Sequence, residues 1–464
     1  MGKWRRSIFL LSIFVLVISP IPVFAQNQPT GPTYIIQSGD TLGVIAAKFD
    51  VSIEEIITIN NIQDPNLLSA GQPIIIPGLE GVTGNLTAET IPFGSNLTSI
   101  SIQYQFPLPL LAKLNKITTP QEVYAGSSLI LPLTESATLG GRESLKPGES
   151  ILEISARTKS NPWVIMYQNN LNQTWQGIPS QPVFFPKDPS GNAASESPIP
   201  LFIELRIDSL PLIQGKTVEI FAIGESGLQI SGKLAGNSLN FFPLQDGQYF
   251  ALQGIHSMTQ PGLNRFELSI EKTGSPDYEF SQMVYVQPGN YPEDPPLNVD
   301  PTTIDPVNTK PEDDQIRQIT SVINPERLWG GMFRDPVDEP VCIKSRYGNR
   351  RSYNGGPFSY FHTGLDYGVC ANRNIYAPAA GTVVFTGLLT VRGNATIIDH
   401  GQGIFTGYWH QQEIGVKTGD HVESGQLIGQ IGDTGRVTGP HLHWEIWVNG
   451  VQVDPSQWLE KTYP

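Results

Sequence analysis

Short apolar runs, separated by glycine and proline, extend along most of this chain of 464 residues. Its 46 glycines and 39 prolines leave little room for long helices, and only 16% of the residues are charged. Runs of this length between turn-forming residues are typical of strands joined by tight turns. The pattern and the length together predict roughly two to four domains that are rich in strands and turns.

The N-terminus has the three parts of a secretory signal peptide, residues 1–25. Basic residues precede an apolar run over residues 8–18, and Val23-Phe24-Ala25 ends in a small residue suited to cleavage. The alternative is a single membrane anchor, but the run is shorter than the roughly 20 residues that a spanning helix needs. We expect cleavage after Ala25, no stable membrane span in the mature chain, and a secreted or cell-envelope location.

Charge and cysteine content restrict the partners and the redox state. Loss of Lys3, Arg5 and Arg6 with the signal peptide would take the formal net charge from −14 to −17. Because an acidic protein repels nucleic acid, we expect no nucleic-acid partner. The two cysteines, Cys342 and Cys370, are candidates for a disulfide in an exported chain. Free thiols or thiolate metal ligands are the alternatives.

The first globular unit covers residues 33–77. A strand-like run leads into SGDTL and a first helix; Ser52 and Glu55 have the spacing of a capping box that opens a second helix, and GQPIIIP closes the unit as a strand. This β-α-α-β order with these motifs closely resembles a LysM module. The resemblance implies binding of N-acetylglucosamine-containing glycans such as peptidoglycan, through the loops at residues 39–42 and 61–67.

Two weaker copies follow at residues 91–132 and 144–186. Each repeats the turn, the apolar helix, the asparagine-containing second helix and a final strand that ends in proline. The Asp-Thr pair of the first loop becomes Ser95-Asn96 in the second copy and Glu149-Ser150 in the third. We therefore expect degenerate LysM-like units, and their ability to bind sugar stays open.

The middle of the chain reads as two linkers around a β domain. Residues 187–200 form a linker by composition, and residues 201–287 contain six short alternating runs about ten residues apart, which predict an all-β, immunoglobulin-like sandwich serving as a spacer. Its one histidine, His256, has no catalytic neighbours in the sequence. Residues 288–326 form a second linker, whose part at 288–311 is dense in proline, aspartate and asparagine and should be extended.

The C-terminal domain, residues 327–460, combines frequent glycines with short Val/Ile-rich runs, as expected for a mainly antiparallel β domain. Side chains two apart in a strand point to the same face. His441 and His443 therefore project together, with Glu445 on the same face. Gly364 argues against a helix between His362 and Asp366, so that pair belongs at a turn or strand end.

Six of the seven histidines fall within 82 residues of this domain. His362, Asp366 and His443 form a set of two imidazoles and one carboxylate, which suits Zn²⁺ and leaves a fourth position for water. Zinc would then activate that water for hydrolysis. His410 and His441, left unligated, are candidates for the general base and the transition-state donor.

The strings HTGLD, IDHGQGIFTGYWH, SRYGNR and GPHLHWE in this domain resemble those of the M23 (lysostaphin-type) zinc metallopeptidases. The resemblance implies one zinc ion on His362, Asp366 and His443, and catalytic roles for His410 and His441. It also implies the peptide part of peptidoglycan as substrate. The sequence thus predicts a secreted zinc endopeptidase that hydrolyses cell-wall cross-links. The alternative is a catalytically silent M23-like protein that binds the wall and activates another hydrolase.

The remaining residues of the histidine region are given other roles. His400 is expected to be structural at a hairpin end, and His421 to be an exposed loop residue. Glu445 is a candidate for orienting a metal ligand from outside the coordination set.

Overall fold

The computed structural model describes residues 31–464 except 38, 50, 80, 81, 83, 120, 121, 134–138, 180, 181, 187–201, 275 and 276. The expected signal peptide and the first linker, residues 187–200, lie outside the described residues. The chain divides into two compact units, Met1–Asn85 and Leu86–Pro464.

The first unit has the predicted β-α-α-β order. Its elements are β1 (Thr33–Ile35), α1 (Leu42–Phe49), α2 (Ile53–Asn60) and β2 (Pro73–Ile75). Strands β1 and β2 pair antiparallel, with Tyr34 opposite Ile74. The predicted capping box is present, because the Ser52 side chain accepts from the backbone N–H of Glu55 while the Glu55 carboxylate accepts from that of Ser52.

Two further β-α-α-β units follow in the second compact unit. The first comprises β3 (Asn85–Thr90), α3 (Leu97–Gln103), α4 (Leu108–Leu114) and β4 (Ser128–Leu133). The second comprises β5 (Leu139–Ser144), α5 (Ile151–Thr158), α6 (Pro162–Gln168) and β6 (Pro182–Pro186). Their first strands begin at Asn85 and Leu139, before the sequence-based starts at residues 91 and 144. Both opening strands contain polar residues, so a search for apolar runs does not detect them.

Each of the three β-α-α-β units has an asparagine that makes the same hydrogen-bonded bridge. The Asn60 side chain donates to the carbonyls of Ile56 and Ile75 and accepts from the Ile75 N–H, so it ties the second helix to the last strand. A bridge of this kind satisfies three backbone groups with one side chain. Equivalent bridges join Asn115 to Leu111 and Ile130, and Asn169 to Ile165 and Phe184.

The middle domain consists of two sheets that share one apolar core. One sheet has the order β11-β10-β14-β15-β8 and the other β12-β13-β9-β7. All six predicted strand runs are strands, and the immunoglobulin-like topology stays a prediction. The elements are β7 (Phe202–Ile207), β8 (Leu212–Ile213), β9 (Thr217–Gly224), β10 (Gln229–Leu234), β11 (Asn237–Asn240), β12 (Phe242–Gln245), β13 (Gln248–Gly254), β14 (Gly262–Glu271) and β15 (Tyr278–Gln287).

The second linker is not extended over the whole of residues 288–311, and that expectation is wrong over residues 306–311. Helix α7 (Pro306–Thr320) begins there, with the Asp305 side chain accepting from the Val307 N–H at 2.9 Å. An aspartate N-cap followed by proline is a strong helix start. Glu312 on this helix is buried and accepts from Arg392 at 2.7 Å, which fixes the helix against the C-terminal domain.

The C-terminal domain is built on one large antiparallel sheet with the order β16-β19-β26-β23-β22-β21-β24. Its elements are β16 (Ile343–Ser345), β17 (Arg350–Arg351), β18 (Tyr360–Phe361), β19 (Leu365–Gly368), β20 (Asn374–Tyr376), β21 (Gly381–Leu389), β22 (Gly393–Gly401), β23 (Ile404–Ile414), β24 (His421–Val422), β25 (Leu427–Ile431), β26 (His441–Val448), β27 (Val451–Val453) and α8 (Ser456–Glu460). The predicted disulfide is confirmed, with the Cα atoms of Cys342 and Cys370 6.1 Å apart.

The sandwich is docked on the C-terminal domain. Lys216 pairs with Asp454 at 2.7 Å, and the buried Trp458 donates from Nε1 to the Thr217 hydroxyl at 3.1 Å. Phe250 of the sandwich belongs to the same apolar core as the C-terminal sheet. Within the described part of the chain, no helix combines the length and hydrophobicity needed to cross a bilayer.

Candidate active site

The structure brings His362, Asp366 and His443 together. Strands β19 and β26 pair with Asp366 directly opposite His443, and His362 precedes β19 by three residues. Nε2 of His362, Oδ1 of Asp366 and Nδ1 of His443 lie 2.8–2.9 Å from one another. All three residues are buried. Among the described residues, these three side chains form a group whose ligand atoms are close enough together to hold one metal ion.

Gly364 permits the close approach of the chain segments that carry these residues. A Cβ atom at this position would lie 2.1 Å from the Trp444 carbonyl oxygen. Such a distance is far inside van der Waals contact, so a side chain would push β19 away from β26. The glycine is therefore needed for the packing that sets Asp366 beside His443.

Hydrogen bonds on the outer side of each ring fix which nitrogen carries the proton. Nδ1 of His362 lies 2.8 Å from the Arg346 carbonyl, and Nε2 of His443 lies 2.9 Å from Oε1 of Glu445. Both oxygens accept only, so these nitrogens must donate. In the neutral rings, Nε2 of His362 and Nδ1 of His443 then present lone pairs to each other and to Asp366. Three converging acceptors repel unless a cation lies between them, so the donor set fits a metal ion.

Glu445 completes a carboxylate–histidine pair on β26. Burial alone would raise the pKa of Glu445, but the hydrogen bond from His443 and the nearby charges lower it to about 2. Thr363 and Gln452 also donate to this carboxylate, at 2.5 Å and 2.8 Å. Glu445 is thus held as an anion that orients the His443 ring.

His410 and His441 lie next to this group. Their ring centroids are 4.8 Å apart, and Nε2 of His441 is 3.7 Å from Oδ1 of Asp366. Each ring has a carbonyl acceptor at 2.8 Å from Nδ1, from Thr434 for His410 and from Gly439 for His441. The protons are therefore on Nδ1, and Nε2 of each neutral ring is left as an acceptor.

A backbone irregularity positions His410. Its φ is +65°, and the pairing of β22 with β23 shifts register between Thr396 and Asn394, opposite this residue. A bulge of this kind redirects a side chain that a regular strand would place elsewhere. Burial and the neighbouring His441 and His443 hold the pKa of His410 well below its usual value, so the ring is neutral near pH 7.

The cluster opens into a cavity of about 760 Å³. Tyr353, Tyr360 and Phe361 are aromatic residues of its lining, which also includes Arg436 and Thr438. The segment between the sandwich and α7 also lines the cavity, through residues such as Asp294 and Leu297. The cavity is large enough to hold a short peptide.

The other histidines lie apart from the cluster. His400 is fully buried at the end of β22, where its nitrogens contact the Ala380 carbonyl and the Thr406 hydroxyl at 2.7 Å and 2.8 Å. Burial lowers the pKa of His400 to about 4. The His421 side chain is exposed, with Glu423 3.6 Å away. His256, in the sandwich, accepts from the Met258 N–H.

Sequence reasoning missed two charged residues beside the cluster. Arg351 donates from Nη2 to Oδ2 of Asp366 at 2.8 Å and from Nε to Asp294 at 3.3 Å. Arg351 directly follows the SRYGNR string, which was the available signal. Asp294 lies in a stretch that reads as a linker, and its local sequence gives no sign of its contacts.

Comparisons with known proteins agree with this arrangement. The profile of Peptidase family M23 matches residues 360–455, and that of the LysM domain matches residues 34–77 and 90–132. Neither match covers the third β-α-α-β unit.

Among similar proteins, peptidoglycan DD-endopeptidase ShyA of Vibrio cholerae is 38% identical over 131 residues, which are 28% of this chain and 30% of the relative. Peptidoglycan DD-endopeptidase ShyC of the same organism is 44% identical over 132 residues, again 28% of this chain and 30% of the relative. The chain thus spans under a third of the length of these relatives.

A solved Pseudomonas aeruginosa structure described under peptidase M23 is 27% identical, with a TM-score of 0.40. The likeness covers 55% of this chain and 96% of that chain. The family matches coincide with the histidine cluster and with the first two β-α-α-β units. By the family matches, residues 360–455 form a peptidase M23 domain, and residues 34–77 and 90–132 form two LysM domains.

Proposed function

We propose that this chain is an exported zinc endopeptidase that binds cell-wall glycan through its LysM domains and hydrolyses peptide cross-links of peptidoglycan. The M23 and LysM matches support a peptidoglycan hydrolase. The names of the two Vibrio relatives make DD cross-links the proposed substrate class. Export rests on the signal peptide expected at residues 1–25.

The convergence of three acceptor atoms is the observation that carries the proposal. His362, Asp366 and His443 would hold the zinc ion, because their lone pairs face one another while their outer hydrogen bonds fix the rings. Zinc at such a set supplies Lewis-acid chemistry that activates water and polarises a peptide carbonyl. Glu445 keeps the His443 ring oriented for this role.

The two histidines outside the metal set, His410 and His441, serve in proton transfer. His410 is neutral near pH 7 and keeps its Nδ1 proton on the Thr434 carbonyl, so Nε2 can accept a proton from the attacking water. His441 lies on the same side, with Nε2 close to the metal set. A proton taken up from solvent at Nε2 lets His441 donate to the oxygen that becomes negative in the transition state.

The proposal is tested by digesting defined, cross-linked muropeptide dimers with the full chain and identifying the products by mass. Cleavage that releases two monomers, stops with a chelator and returns with zinc supports it. His421→Ala, at an exposed histidine outside the cavity, should cleave as the unchanged chain does. A protein that binds sacculi but leaves every dimer intact would favour the catalytically silent alternative.

A further inference from the structure

We infer that Asp294, supplied by the segment between the sandwich and α7, is a positioning residue for the metal ligands of the M23 domain. The inference rests on the proposed zinc site. It adds a residue that lies outside the matched M23 region, residues 360–455.

Asp294 reaches one metal ligand through Arg351. The Asp294 carboxylate accepts from Arg351 Nε at 3.3 Å, and Arg351 Nη2 donates to Oδ2 of Asp366 at 2.8 Å. The guanidinium is therefore shared between two carboxylates, with only 15% of its side chain exposed. Without Asp294, the Arg351 guanidinium would pair with Asp366 alone and would compete more strongly with the metal ion for that carboxylate.

Asp294 reaches a second metal ligand through Ser345. The Ser345 hydroxyl donates to Oδ2 of Asp294 at 2.8 Å. The hydroxyl oxygen of Ser345 also lies 3.2 Å from Nδ1 of His362. Because its proton is committed to Asp294, the hydroxyl presents a lone pair to the His362 N–H. This contact adds to the Arg346 carbonyl in fixing the ring.

The backbone holds Asp294 in place for these contacts. Its N–H donates to the Arg350 carbonyl at 2.9 Å, and three residues later the Leu297 N–H donates to the Ser352 carbonyl at 2.9 Å. Asn349 also donates to Oδ1 of Asp294 at 2.6 Å. Isolated parallel bridges, from Glu293 to Arg350 and from Leu297 to Tyr353, thus hold the segment beside β17. A carboxylate from outside the large M23 sheet is in this way placed behind the partners of the metal ligands.

Zinc affinity of the full chain, measured by competition with a chromophoric chelator, tests the inference. Asp294→Ala and Asp294→Asn should each bind zinc more weakly, by up to about tenfold, the lower end of the loss seen when a direct partner of a ligand is removed. The visible absorption of the Co²⁺-loaded protein should also change in both variants, because the ligand geometry is altered.

Glu293→Gln is the matched control, since this exposed neighbour lies 3.9 Å from Arg350 and does not touch the network. Asp294→Asn decides the question if Asp294→Ala does not fold. Unchanged zinc affinity and an unchanged Co²⁺ spectrum in Asp294→Asn would overturn the inference and leave the proposed function standing. An unchanged chain that binds no zinc would instead overturn the proposed function.

Discussion

His443 and Glu445 lie on the same face of β26, with Nε2 of His443 2.9 Å from Oε1 of Glu445. This pair fixes the tautomer of His443 and turns its Nδ1 lone pair toward His362 and Asp366. Two residues of one strand thus supply both the proposed metal ligand and the group that orients it, as the alternation of a β-strand allows.

Replacing Glu445 with glutamine should weaken zinc binding by about tenfold to a hundredfold. The amide keeps the shape but loses the negative charge that holds the His443 N–H. Chelator competition on the purified chain measures the effect. Glu423→Gln is the control, because Glu423 lies beside the exposed His421 and outside the cavity. Equal zinc affinity in the two variants would show that Glu445 does not orient His443.

Replacing Gly364 with alanine should destabilise the C-terminal domain by about 1–3 kcal/mol or more, because the new Cβ would overlap the Trp444 carbonyl. Separation of β19 from β26 should also lower zinc affinity. Thermal unfolding with and without zinc measures both effects. Gly330→Ala adds a Cβ with no atom within 4 Å and should change neither. A Gly364→Ala protein with unchanged stability would contradict the packing described for these strands.

His400 should make the stability of the C-terminal domain depend on pH. Burial lowers its folded-state pKa from 6.5 to about 4, so the unfolded chain binds the extra proton between these values. The stability that neutral His400 contributes is complete above pH 6.5. It is lost as the pH falls toward 4, by at most about 1.4 kcal/mol per pH unit.

The variant His400→Gln removes this titration. Denaturant unfolding at a series of pH values should show a shallower loss of stability below pH 6.5 than in the unchanged chain. Above pH 7 the two curves should run parallel, which serves as the internal control. Identical slopes between pH 6.5 and 4 would mean that His400 does not titrate with a lowered pKa.

The repeated asparagine should stabilise each β-α-α-β unit. Asn169→Ala removes the side-chain partner of the Phe184 N–H and carbonyl, and a buried group left unsatisfied costs about 1–3 kcal/mol. The Ile165 carbonyl keeps its bond from the backbone N–H of residue 169. Hydrogen exchange of the third unit should accelerate. Asn172→Ala, at an exposed position in the same unit, should leave exchange unchanged. If the Phe184 N–H exchanges no faster in Asn169→Ala, the asparagine bridge does not stabilise the unit.

Local patterns in the sequence predict much of this fold. The period of two places His441, His443 and Glu445 on one face, and the capping box at Ser52 and Glu55 forms as expected. The helix at residues 306–320 also had a local signal, since Asp305-Pro306 is a helix start. The composition of the surrounding segment obscured it.

Tertiary contacts account for what the sequence does not reveal. The side chain of His410 is placed by a bulge and a positive φ, which depend on how β22 pairs with β23. Arg351 contacts Asp366, and Asp294 contacts Arg351 because a segment read as a linker lies beside β17. Their contacts join residues that are 15 to 57 positions apart, too far for local patterns to register.

The most direct test of zinc-dependent hydrolysis compares His362→Ala with His441→Ala for both bound zinc and cleavage of a defined muropeptide dimer. His362→Ala should lose the metal and the activity together, because one of three converging acceptors is gone. His441→Ala should keep one zinc per chain while its cleavage rate falls by about a hundredfold or more, as expected for loss of a proton-transfer group. Full cleavage by His362→Ala without zinc would contradict the mechanism.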